Sequence, residues 1–215
     1  MRCTKYALPI ACLLLAPAAH AQQAPSRDDN WATVSTVSLV IGAGTEALMP
    51  RIFYSDSEAT VGWKARWHVS VLAPALTLTT LAVLNEYTLK DSFEGYRPGC
   101  NEDLQGGPGC RTYGMLSTHT YGNFAALGQG TAIFLVDTLK WSNGKVNAGA
   151  AIGHLAIPLV TSVLTAISRS AGDWETGSQI FAGAGAGLLS GALTGTVYAL
   201  MQRPECGYTG SMICW

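Results

Sequence analysis

Charge is what this sequence has least of. Lysine, arginine, aspartate and glutamate make up 13% of its 215 residues, against roughly 25% in an average soluble domain. No basic run exceeds two residues and the formal net charge is -1, so the electrostatic footprint of a nucleic-acid binder is missing. The chain has no cluster of metal-ligating residues, no phosphate-loop motif and no dinucleotide fingerprint. Neither a metal nor a cofactor is therefore expected. Strand-like alternation and internal repeats are also absent. What is present is apolar: 48% of the residues are hydrophobic, a composition that leans toward a membrane.

The first 21 residues read as a signal peptide. Arg2 and Lys5 supply the positive start, 6–18 is apolar, and Ala19-His20-Ala21 is a small-x-small cleavage site. The other reading, an uncleaved anchor, is disfavoured because the apolar run is short for a span. Cleavage exports a single domain, 22–215, and removal of Arg2 and Lys5 takes the formal charge from -1 to -3. Cys3 and Cys12 leave with the signal. Cys100, Cys110, Cys206 and Cys214 remain, in two close pairs. An exported chain can oxidise them, and Cys100–Cys110 with Cys206–Cys214 is the simplest connectivity. A metal site is the alternative, but no histidine lies near either pair.

Five long helices are predicted, at 32–50, 69–90, 118–141, 146–168 and 176–201. The joint 95–114 holds six glycines and two prolines, which no regular helix tolerates. The fold class is therefore all-α, a bundle of about five long helices expected to be membrane-embedded. The second, fourth and fifth approach the roughly 20 apolar residues a span needs. Gly183, Gly187, Gly191 and Gly195 form a smooth stripe for close helix packing. Lysines and arginines gather in the joints after the first and third helices, which agrees with the positive-inside tendency. Joints 95–114 and 169–175 then face outward. Five crossings would leave Cys206 and Cys214 in the cytoplasm, unless the last helix does not cross or the bundle is soluble and periplasmic.

Three patterns fall at the outward-facing helix ends. Lys90 is followed by six residues and then Arg97-Pro98. Ser117-Thr118-His119 opens the third helix. Ser168-Arg169 closes the fourth, with Glu175 six residues beyond the arginine. Cations at the ends of apolar helices cost desolvation energy unless they are paired or useful. A guanidinium fork suits a tetrahedral oxyanion and lysine adds a point charge. Ser117 and Thr118 stand where free helix N–H groups receive an anion, and His119 is placed to donate a proton to a leaving oxygen. Taken singly, each pattern also has an ordinary structural explanation: a chance spacing, an N-cap, a snorkelling arginine. Their shared order and side favour a phosphate site.

The order resembles the signature of the type 2 phosphatidic acid phosphatase and vanadium haloperoxidase superfamily: Lys-x6-Arg-Pro, Pro-Ser-Gly-His, then Ser-Arg-x5-His-x3-Asp. Lys90, Arg97 and Pro98 match the first part in full. Ser117 and His119 match the second, with Leu116 for proline and Thr118 for glycine. Ser168 and Arg169 match the third, with Glu175 for histidine and Gln179 for aspartate. The resemblance covers about half the chain and makes 22–215 a phosphatidic acid phosphatase type 2-like helical domain. It implies phosphate binding by Lys90, Arg97, Ser117 and Arg169, with Thr118 beside them, and proton donation by His119. The nucleophilic histidine and its orienting aspartate have no counterpart, and haloperoxidase chemistry is excluded with them.

Two functions follow. One is a phosphatase acting on a lipid phosphate or other phosphomonoester at the periplasmic or outer face of a membrane, with His119 and Glu175 as the catalytic pair. The other is an inactive relative that binds a phosphorylated lipid or headgroup. A third possibility, a helical membrane protein with accidental motif matches, has no phosphate site at all. His154 reads as a packing histidine, His68 as an interfacial one, and Glu46 and Asp137 are assigned no chemistry.

Overall fold

In a computed structural model of the chain, the structure describes residues 27–52, 73–93, 95–104, 110, 113–141, 144, 146 and 148–201. The signal peptide, His68, Cys206 and Cys214 lie outside them. The described residues are mostly helical and contain no strand. Helix α1 is Asp29–Ile52. Helix α2 runs Ala73–Leu84, widens into a π turn at Asn85–Leu89 and closes at Lys90–Ser92. Helix α3 is Thr118–Val136, extended by a π turn at Asp137–Trp141. Helix α4 comprises Ala148–Ala151, a π turn at Ile152–Ala156 and Ile157–Ala171. Helix α5 is Gly177–Met201.

The ends show what sets the lengths. Helix α1 begins three residues before the predicted start because the Asp28 carboxylate accepts from the Asn30 N–H at 2.8 Å, an N-cap contact. Helix α4 outlasts its predicted end at Ser168 and stops at Ala171. Arg169 thus lies in the last turn, where a cation suits the helix dipole.

Helices α3 and α5 make the most extensive contact, and α1 rests on α4 and α3. The glycine stripe of α5 allows it. A Cβ on Gly187 or Gly191 would strike the α3 backbone at Tyr121 or Ala125, and one on Gly195 would strike Gln129. Missing side chains let the two backbones touch and gain dispersion contact along their length.

Helix α4 is apolar on the outside and polar within. It buries Thr161, Ser162, Thr165, Ser168 and Arg169, while Leu159, Val160, Leu164 and Ile167 are exposed. On α5, Leu189 and Leu193 are each 70% exposed. Ala148–Ala171 and Gly177–Leu200 are long and apolar enough to cross a membrane, by length and composition. The second helix, predicted as a span, is not among them in its described part. Deep between α1 and α4, the Nδ1 of His154 and the Glu46 carboxyl share a hydrogen bond of 2.9 Å, with both side chains almost fully buried. His154 therefore packs through a carboxylate partner.

Candidate functional site

The site forms where α2, α3, α4 and the joint before α5 end together. Ser117 is the N-cap of α3: its side chain accepts from the Thr120 N–H, leaving Thr118 and His119 in the first turn as predicted. Asn85 holds this turn against α2. Its buried side-chain amide donates to Leu116 O at 3.2 Å and Thr118 Oγ1 at 3.1 Å. The π turn that carries Asn85 places Glu86 beside it. The Lys90 ammonium donates to Glu86 Oε2 at 2.8 Å and to Thr118 Oγ1 at 3.4 Å. The Thr118 hydroxyl also donates to Glu86. Burial opposes ionisation of Glu86, but Lys90 and Thr118 outweigh it and hold the carboxyl below its usual range.

Arg169 and Glu175 form the second half. Arg169 Nε donates to Glu175 Oε2 at 3.1 Å and Nη2 to Oε1 at 2.8 Å. Ser117 is a further hydrogen-bonding neighbour of Glu175, and Arg97 acts on it through its charge. Burial pushes the Glu175 carboxyl up. Arg169, Ser117 and Arg97 together more than reverse this, so it lies below the ordinary value. A carboxylate held ionised by a fork of N–H donors is a weak base and a weak nucleophile.

Gln179 has a different task from the aspartate it stands for in the motif. Its amide nitrogen donates to Gly95 O at 3.1 Å and Tyr96 O at 2.7 Å, and its oxygen accepts from the Thr176 N–H at 2.8 Å. It ties the start of α5 to the segment carrying Arg97. The disulfide Cys100–Cys110 closes the same joint, in agreement with the predicted pairing.

His119 makes a 3.2 Å hydrogen bond to Thr36 Oγ1 of α1. Burial first, then the positive charges of Arg169 and Lys90, push its imidazole down to about 4, against the pull of Glu175 and Glu86. At neutral pH it is uncharged, so the acid form needed to protonate a leaving group is scarce until an anion arrives.

All seven residues predicted for phosphate binding or catalysis meet here: Lys90 with Thr118, and Ser117, Arg97, Arg169, Glu175 and His119 through direct or electrostatic contact. Four contributors were not foreseen. The spacing of Glu86 and Lys90, one helical turn apart, was a readable signal. Asn85 and Thr36 had none.

Trp174 is the fourth, a tryptophan in an otherwise polar joint. It gathers three arginines: Arg97 Nη1 donates to its carbonyl at 3.3 Å, and the guanidinium groups of Arg169 and Arg27 lie 5.1 and 5.2 Å from its ring centroid. Its indole N–H donates to Asp28 O at 3.1 Å, which brings the start of the described chain to the site.

A cavity of about 530 Å³ between α1 and α2 abuts the cluster. Leu39, Val40, Leu78 and Val83 line its apolar length, and Glu86 and Thr118 stand at its polar end. Among the described residues no group of histidine, cysteine, aspartate and glutamate is arranged to hold a metal ion. No family model, no curated protein and no solved structure matches the chain.

Proposed function

We propose that the chain is an exported, membrane-embedded relative of the type 2 phosphatidic acid phosphatases that binds a phosphorylated lipid or headgroup without hydrolysing it. The observation that carries this reading is the buried bidentate pair of Arg169 and Glu175. The position where the motif calls for a nucleophile holds a carboxylate neutralised by the site's own arginine. The lowered pKa of His119 leaves little of the acid form that would protonate a leaving group in the absence of ligand. Binding remains supported by the convergence of Lys90, Arg97, Ser117 and Arg169 at helix ends.

The membrane part rests on the outward leucines of α4 and α5, whose burial in lipid avoids an apolar surface in water. The cavity beside Thr118 offers an apolar tail a place next to the headgroup. The disulfide Cys100–Cys110 supports an oxidising compartment, with the site on the periplasmic or outer face.

The test is phosphate release from phosphatidic acid and a soluble aryl phosphate, beside calorimetric binding of inorganic phosphate. The expected result is binding without release above background. Turnover abolished by His119→Ala and by Glu175→Gln would instead make the protein a phosphatase. Absence of phosphate binding, unchanged in Lys90→Ala and Arg97→Ala, would leave the motif matches accidental.

A further inference from the structure

Arg27 belongs to none of the three motifs, yet it ends in the same place. Its guanidinium lies over the Trp174 ring, against which Arg169 also rests. One terminal nitrogen donates to the Cys100 sulfur at 3.7 Å, a weak contact, and Nε is buried with no hydrogen-bond partner. An N–H removed from water without an acceptor costs free energy that an incoming oxyanion would restore. The charged groups acting on Arg27 are Arg97, Arg169 and Glu175. Of these, Glu175 is already committed to Arg169 by two hydrogen bonds. Lys90 is likewise committed to Glu86.

We infer that Arg27, together with Arg97, forms the ligand-facing clamp of the phosphate site, taking the place of the Arg169 fork that Glu175 has occupied. This rests on the phosphate-binding reading above and adds a residue that the motifs do not contain. Trp174 sets the clamp: its ring carries Arg27 and its carbonyl accepts from Arg97.

The experiment is calorimetric titration of the full chain in detergent with inorganic phosphate, at one low ionic strength. Arg27→Met is expected to weaken binding by about tenfold or more, the size of a lost charge-assisted hydrogen bond. Arg27→Lys, which keeps the charge and loses the fork, should fall between Arg27→Met and the wild type. On the wild-type protein, phosphate should shield Arg27 from an arginine-specific dicarbonyl reagent, read by mass spectrometry at that residue. This measurement stands even where a variant fails to fold. Wild-type binding with Arg27→Met within about twofold, or unshielded Arg27 in phosphate-saturated protein, overturns the inference alone. A wild-type chain that takes up no phosphate overturns the inference and the binding reading together.

Discussion

Glu175→Gln removes the negative half of a pair whose side chains are 5% and 1% exposed. Breaking a buried ion pair from one side costs about 3–5 kcal/mol, because the remaining charge stays buried without compensation, whereas replacing both members by apolar groups is often neutral. Glutamine keeps one acceptor for Arg169, so its loss belongs near the lower figure. For a chain of this size each kcal/mol is roughly 2–4 °C in melting temperature, giving a fall of about 6–12 °C. Glu175→Met should fall further, and the double variant Arg169→Met/Glu175→Met should recover most of the loss. Inorganic phosphate should raise the melting temperature of Glu175→Gln more than that of the wild type, since the dianion supplies the charge that Arg169 has lost. The assay is a thermal melt in detergent followed by circular dichroism, with and without phosphate. A Glu175→Gln protein that melts with the wild type, or a double variant as unstable as the sum of the singles, would refute the reasoning.

Acid should act on the fold in two stages. The depressed His119 value of about 4, below the ordinary 6.5, means the unfolded chain takes up this proton first. Stability should fall by up to about 3 kcal/mol between these values, and His119→Gln should flatten that window in a denaturation series against pH. The lowered Glu175 value adds a second loss, beginning as pH drops below the ordinary carboxylate range. Gly130→Ala would place a methyl carbon 2.5 Å from His154 O and 2.6 Å from Glu46 Oε2. A loss of about 3 kcal/mol is expected from overpacking and disturbance of the buried pair. Gly185→Ala, which meets nothing within 4 Å, should gain about 0.5–1 kcal/mol in the same melt. Gln179→Ala leaves the Gly95 and Tyr96 carbonyls without this donor; about 1–3 kcal/mol should be lost, with faster proteolysis in the joint holding Arg97.

The helices were readable because their runs are long and mostly apolar and are separated by polar or glycine-bearing joints, and the α5 glycine stripe correctly announced a close contact. The inside-out arrangement of α4 was not readable. Thr161 and Thr165 look like exposed positions until the bundle shows that leucine and valine take the outside. The motif residues could be placed on helix ends from their spacing alone. What they pair with could not, because Arg169 and Glu175 meet through the chain reversal at Gly172–Thr176, where Asp173 takes a positive φ of 53°. The role of Gln179 was hidden for a similar reason: its partners are backbone carbonyls, which no side-chain pattern advertises. Arg27 is far from every motif in the chain and is brought to the site by the bonds that Trp174 and Gly172 make to the neighbouring Asp28 backbone.

Gly183, the first of the four stripe glycines on α5, has Ser117 as its neighbour: a Cβ there would sit 2.9 Å from Ser117 O. The seam joining α3 to α5 thus runs unbroken up to Ser117, the N-cap of α3. Ser117 of the second motif and Gln179 at the start of α5 ride on what is mechanically a single keel, whereas Lys90 and Arg169 are carried by α2 and α4. Drift that enlarged a residue along that seam would be felt first as a misaligned Ser117, long before the helices themselves came apart.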